Sequence, residues 1–219
     1  MIYTLQELEY LALQDLTGGK PTKRSNILRV VLKQPRTHAV ILVRILNQQY
    51  LVDVGYGPNC ATSPILLIND EIRPNVIPAA VRLLDAQVEG SNDMSPKLWH
   101  YQHRKDDKCD FINQYCFSTI EFFQSDFEVI NHFTSTSPRS IFNQKLICVK
   151  MIPSGDSDNN IKGCIILQHD LKTRICGNTV TLESFKTEEQ RLEALRREFQ
   201  INFTKEEETG IQGFPTALG

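Results

Sequence analysis

Two side chains in this sequence are of the right types and spacing for acid–base chemistry: His38 and Asp53, fifteen positions apart. The apolar run Ala39-Val40-Ile41-Leu42-Val43-Arg44-Ile45-Leu46 follows the histidine, and Tyr50-Leu51-Val52-Asp53-Val54 contains the aspartate. Asn47-Gln48 lies between the runs, so the segment reads as a β-hairpin. A two-residue hairpin loop pairs residues whose numbers sum to an odd total. His38 then stands opposite an odd-numbered residue such as Gly55 or Gly57. Side chains two apart on a strand share a face. Asp53 therefore projects on the face of His38, one diagonal step along the ladder and within side-chain reach. A carboxylate bonded to one imidazole nitrogen fixes the tautomer and leaves the other nitrogen as a base. The plain alternative is a surface histidine and a turn-side aspartate.

Acyl transfer needs a third member, usually Ser or Cys. The six cysteines are Cys60, Cys109, Cys116, Cys148, Cys164 and Cys176, so none precedes Cys60. Cys60 sits in the loop after Asp53, whereas a triad sets its nucleophile on the far side of the imidazole from the carboxylate. His100-x-x-His103 with Cys109 and Cys116 fits no common zinc spacing, and two histidines three apart on a strand face opposite sides. No metal is expected. The chain has no Walker A loop and no G-x-G-x-x-G, and Gly55-Tyr56-Gly57 reads as a chain reversal.

The elements that would hold these residues are mostly strands. A first helix is expected over Leu5, Leu8, Leu11, Ala12 and Leu16, capped by Thr4 with Glu7 and stopped by Gly18-Gly19. Residues 20–36 are polar and basic. Lys20, Lys23, Arg24, Arg29, Lys33, Arg36 and Arg44 meet no Asp or Glu between Asp15 and Asp53, which suits a solvated basic edge or a phosphate-facing patch. After the hairpin, short strands and turns are expected over 64–90, then strands at 98–103 and 115–118. Their aromatic content suits a half-buried pleated surface. A short helix is expected near 127–133. Strands follow at 145–151, 162–167, 171–175 and 179–185, with a loop over 154–160. Thr187-Glu188-Glu189-Gln190 opens a helix with a capping box, and Leu192, Leu195 and Phe199 form its apolar face. The charge run Lys205-Glu206-Glu207-Glu208 reads as a solvated face.

Composition excludes several classes. The chain has 219 residues, 41% of them hydrophobic and 23% charged, enough to bury a core. The formal net charge of -2 argues against a nucleic-acid binder or a polybasic membrane anchor. No apolar run reaches the roughly 18 residues of a membrane span, and the first residues lack the basic-then-apolar order of a secretion signal. A cytoplasmic setting with reduced thiols is the expectation.

Thr37-His38 followed by Tyr50-Leu51-Val52-Asp53-Val54-Gly55-Tyr56-Gly57 resembles the arylamine N-acetyltransferases, whose mark is a His heading one strand and a "YLVDVGFG"-type strand after it. Trp99-His100-Tyr101-Gln102-His103-Arg104 looks like that family's central strand. Asp126 to Asn131, leading to Thr134-Ser135-Thr136-Ser137-Pro138-Arg139-Ser140-Ile141-Phe142, looks like its "DFEVMN…TSTHPRSxF" segment. Thr187 to Ile201 is similar to its closing helix and "FGI" end, with Gln200 in place of Gly. Gly210-Ile211-Gln212-Gly213 resembles the C-terminus of the filamentous-fungal branch.

The resemblance implies an α+β fold of the cysteine-proteinase-like superfamily. A remnant of an N-terminal helical domain (1–36) would precede an antiparallel β-barrel carrying His and Asp (37–143) and a small α/β lid (144–219). It implies a Cys-His-Asp triad in which His38 is the base and Asp53 its orienting acid. Acetyl would pass from acetyl-coenzyme A to an aromatic amine or hydrazine. By the same resemblance Tyr56 lines the acceptor pocket, and Thr136, Ser137 and Ser140 lie where the coenzyme is contacted. The family's nucleophile belongs to an "RGGxCxE" motif upstream of the His, and no such motif precedes His38 here. Three readings follow: an acyltransferase from which a truncated gene model has removed the cysteine, an inactive member used as a binding or scaffold protein, or a different cysteine-dependent acyltransferase or hydrolase. Losing a helical bundle would uncover apolar surface and favour self-association. No nucleic-acid or membrane partner is expected.

Overall fold

A computed structural model describes residues 27–32, 38–88, 95–155 and 160–218. The expected first helix, its capping box, Gly18-Gly19 and most of the basic stretch lie outside the described residues, as does much of the 154–160 loop. The chain divides into two compact units. One runs to Asn75 and resumes at Ala79–Phe127; the other is Val76–Pro78 and Glu128 onward. Among the described residues no helix is long and apolar enough to cross a membrane.

The first unit is built on eight antiparallel strands: β1 Ile27–Leu32, β2 His38–Ile45, β3 Gln48–Val52, β4 Ile65–Leu66, β5 Arg73–Pro74, β6 Ala80–Ala86, β7 Leu98–Arg104 and β8 Ile112–Phe117. Their spatial order is β4-β3-β2-β1-β8-β7-β6-β5. Of the expected antiparallel barrel the structure describes the eight-stranded sheet: among the described residues no ladder joins β4 to β5, and a single bridge, Asn69↔Leu83, links the segment after β4 to β6. The outermost strands are two residues long, and Pro74 has no N–H to offer a neighbour. The sheet also contains a strand that the basic composition of 20–36 concealed. β1 pairs with β2 through Val31↔His38 to Ile27↔Leu42, and with β8 through Leu32↔Cys116.

The hairpin forms with the expected odd-sum register, Ile41↔Val52 and Leu42↔Leu51. Its turn residues are Leu46 and Asn47, one place earlier than expected, both at positive φ (47° and 65°). That backbone is the twist-matched turn that two-residue hairpins select. Strand alternation then decides what lies inside. Val40 and Leu42, Leu51, Val81 and Leu83, Tyr101, and Tyr115 and Phe117 form one buried cluster with Ile65. His38 and Asp53 share the parity of Val40 and Leu51, so they sit at the rim of this inner face.

The second unit holds a four-stranded antiparallel meander: β9 Cys148–Pro153, β10 Ile161–Leu167, β11 Asp170–Ile175 and β12 Asn178–Ser184, in the order β12-β11-β10-β9. Helix α1 (Gln124–Thr136) and the single turn α2 (Ile141–Gln144) precede it; α3 (Glu188–Phe199) and α4 (Lys205–Thr209) follow. Leu167 and Leu171 pack with Phe185, Ala194 and Leu195. Thr187 caps α3 with the expected box, its hydroxyl accepting from the Gln190 N–H while the Gln190 side chain accepts from the cap backbone. The charge run forms α4, because Thr204 and Glu207 make a second box. Gly163 leaves no room for a side chain: an added Cβ would stand 2.1 Å from the Arg174 carbonyl oxygen.

Two features of α3 carry testable costs. Arg191 is 1% exposed; it pairs with Glu188 and donates to the Thr216 carbonyl at 2.9 Å, while the Leu218 N–H donates to Glu188 at 2.7 Å. This ion pair ties the C-terminal segment to the helix. Arg191→Met leaves the Thr216 carbonyl and both Glu188 carboxylate oxygens without their cationic donor, and is expected to cost about 3 kcal/mol in denaturant unfolding. Gln200 ends the helix at φ 58°, where its N–H bonds to the Arg196 carbonyl. The expectation of glycine at this place has a physical basis, since the left-handed region penalises a Cβ. Gln200→Gly is expected to raise stability by about 1 kcal/mol in the same measurement.

Candidate active site

The register of β2, β3 and β8 brings His38, Asp53 and Tyr115 together. His38 Nε2 lies 2.9 Å from Asp53 Oδ2. The Tyr115 hydroxyl donates to the same oxygen at 2.7 Å, and the Gly55 N–H donates to Oδ1 at 3.0 Å. The aspartate side chain is 1% exposed and the histidine 18%. A carboxylate so buried needs donors on both oxygens, and it has them. An ionised carboxylate only accepts, so Nε2 carries the proton and Nδ1 is the basic nitrogen. Among the described residues nothing hydrogen-bonds Nδ1. A Cβ at Gly55 would make an ordinary van der Waals contact with His38 Cε1 at 3.5 Å.

Aromatic rings wall the pair. His38 lies 5.3 Å from both Tyr56 and Tyr115, and Tyr115 stacks on Tyr101 at 4.8 Å. Each phenol is spent on a fixed acceptor. Tyr56 donates to the Gln114 carbonyl at 2.6 Å and Tyr101 to the Asn59 carbonyl at 2.8 Å. Burial, seconded by the Asp53 charge, pushes the Tyr56 phenol up from its ordinary value, and the same two causes hold Tyr115 well above its own. These hydroxyls are donors at neutral pH.

Cys60 does not serve His38. Its thiol donates to the Asp53 backbone carbonyl at 2.8 Å. Burial, then the Asp53 carboxylate, pushes that thiol well up, so it is a poor source of thiolate. All six cysteines are among the described residues and none forms a disulfide. None of them hydrogen-bonds His38.

The remaining expected site residues lie on the second unit. Thr136 ends α1, exposed, its hydroxyl donating to the His132 carbonyl at 2.6 Å. The Ser137 hydroxyl accepts from the Arg139 N–H at 3.3 Å. Ser140 is buried, donates to the Thr134 carbonyl at 2.6 Å and caps α2. Ser140 thus holds the segment in shape, while Thr136 and Ser137 keep surface. The sequence reading missed Tyr115 and Tyr101. Their signal was present in the alternation Tyr115-x-Phe117, but contact with Asp53 depends on a strand 62 residues away. Among the described residues no group of three His, Cys, Asp or Glu side chains could hold a metal ion.

Known proteins match this frame. A family model described as N-acetyltransferase matches residues 26–208. The chain is 31% identical over 182 residues to the N-malonyltransferase FDB2 of Fusarium pseudograminearum, covering 80% of this chain and 53% of that protein. It is 31% identical over 137 residues to the arylamine N-acetyltransferase of Escherichia coli, covering 60% and 44%. It therefore spans about half the length of these relatives. In fold it is similar to the arylamine N-acetyltransferase of Salmonella typhimurium, with a TM-score of 0.68, 21% identity, and 85% and 66% of the two chains covered. The Mycobacterium marinum enzyme, solved in complex with CoA, gives 0.63 at 21% identity, covering 81% and 62%.

The geometry fixes a tautomer that nitrogen NMR can read. His38 is expected to carry its proton on Nε2 in the unaltered chain. Asp53→Asn offers an amide N–H in place of one acceptor oxygen and is expected to move the proton to Nδ1, removing the base. An unchanged tautomer in the variant would mean that the carboxylate does not orient the ring.

Proposed function

The chain belongs to the arylamine N-acetyltransferase family, and on that footing we propose that it serves acyl transfer from an acyl-coenzyme A thioester to an aromatic amine or hydrazine. In this reading His38 is the base and Asp53 the group that orients it. The observation that carries it is the 2.9 Å contact of Nε2 with a buried carboxylate, which leaves Nδ1 basic at the rim of an aromatic wall. Nδ1 takes the proton of a thiol, and the thiolate attacks the thioester carbonyl. The coenzyme thiolate leaves with that proton. The amine then attacks the new thioester, Nδ1 accepts its proton, and the thiol is restored as the amide departs. Tyr56 presents a ring edge to an aromatic acceptor. The exposed Thr136 and the half-buried Ser137, with Ser140 holding their turn, are the proposed coenzyme contacts. Acetyl and malonyl are the two acyl groups that the relatives' names suggest.

One observation favours a second reading, a binding protein without turnover. No cysteine of the chain hydrogen-bonds His38, and Cys60 is committed to the Asp53 carbonyl. Assays of the full chain with acetyl- or malonyl-coenzyme A and a simple arylamine separate the two, run with and without a small added thiol standing in for the nucleophile. The first reading expects thiol-dependent transfer that falls on the order of a hundredfold or more in His38→Ala and is unchanged in Cys60→Ala. Transfer indifferent to His38→Ala would sink it. Calorimetric binding of either substrate without transfer would establish the second reading.

A further inference from the structure

The opposite face of the eight-stranded sheet carries a thiol–imidazole pair that the His38 site does not use. We propose that Cys116 is a peroxide-reactive thiol, with His100 as its proton acceptor. The two residues stand directly across the β7–β8 ladder. Cys116 Sγ lies 3.1 Å from His100 Nδ1, and His100 Nε2 lies 3.1 Å from the Ala86 carbonyl oxygen. A carbonyl can only accept, so Nε2 carries a proton and the neutral ring presents a bare Nδ1 to the thiol. Nucleophile, base and a third group orienting the base are the arrangement that activates a thiol.

The other buried cysteines lack it. The Cys60 thiol points at a carbonyl, which cannot take its proton, and Cys164 is fully buried with burial holding its thiol protonated. Burial also selects the reagent. His100 is 4% exposed and Cys116 7%, which admits a small uncharged oxidant and turns away a bulky disulfide or a coenzyme thioester. With hydrogen peroxide the step balances. The thiol proton passes to Nδ1, and the sulfur attacks one peroxide oxygen as the O–O bond breaks. The leaving hydroxide takes the proton from His100 as water. Sulfur is oxidised to the sulfenic acid and peroxide is reduced.

The chain holds its own references. The full chain is exposed to limiting hydrogen peroxide and quenched with catalase. It is then denatured in excess iodoacetamide, and peptide mapping reads the remaining thiol at each cysteine. Cys116 is expected to be lost on the order of a hundredfold faster than Cys60 and Cys164. In His100→Gln its rate is expected to fall to theirs, with the exposed Cys109 and Cys176 unchanged. Loss of Cys116 at the rate of Cys164 in the unaltered chain would mean reaction only through unfolding and would overturn the proposal, whether or not the variant folds. Loss indifferent to His100→Gln in a chain whose Cys164 stays protected would overturn it as well.

Discussion

A buried carboxylate is the constraint around which the first unit is arranged. Asp53 lies at the end of a strand whose preceding inward residue, Leu51, is fully buried. Stripping a carboxylate of water is costly unless donors replace it. Three do: a ring nitrogen from β2, a phenol from β8 and a backbone N–H from the turn after β3. The acceptors of the other phenols follow from the same demand. Tyr56 and Tyr101 reach backbone carbonyls of β8 and of the loop after β3, so the loop that carries Gly55 and Tyr56 is tied to the strand that supplies Tyr115. Losing any one of these donors leaves the charge short by a bond in a place water does not reach.

Register is the second dependence. A slip of one residue in the β2–β3 ladder would turn His38 or Asp53 to the opposite face. The turn that prevents it sits at Leu46-Asn47, both in the left-handed region. Leucine is a poor resident there, and it is exposed, so nothing in its packing rewards the strain. The strand pair is instead anchored by burial on both faces, Val40, Leu42 and Leu51 on one and Ile41, Val43 and Val52 on the other.

Much of this is legible in the sequence because it rests on short-range geometry. Odd-sum pairing and period-two alternation are properties of two adjacent strands, and they placed Asp53 diagonal to His38. The capping box at Thr187 is likewise a matter of four residues. What escaped notice depended on distant partners. β1 hid because Arg29 interrupts its apolar run and basic neighbours dominate the composition of 20–36. Tyr115 showed only as a strand aromatic, since its bond to Asp53 requires β8 to lie two strands from β2. The ends of the sheet are illegible for a similar reason: they are two-residue strands, and periodicity does not resolve elements that short.

The same sheet holds two imidazoles in contrasting settings, and the contrast lies in the group behind each ring. His38 is backed by a carboxylate, whose charge stabilises an imidazolium once a proton arrives. His100 is backed by the Ala86 carbonyl, a neutral dipole that orients the ring and offers a positive charge far less. A base that must hold a proton through an acyl transfer gains from the first arrangement. A base that lends Nδ1 for one step and returns the proton to a departing hydroxide needs only the second. The faces differ in access too, since the His38 ring reaches the rim while His100 is enclosed. Backing group and exposure together are what distinguish the two proposed roles, transfer involving a large substrate at His38 and reaction of a small oxidant beside His100.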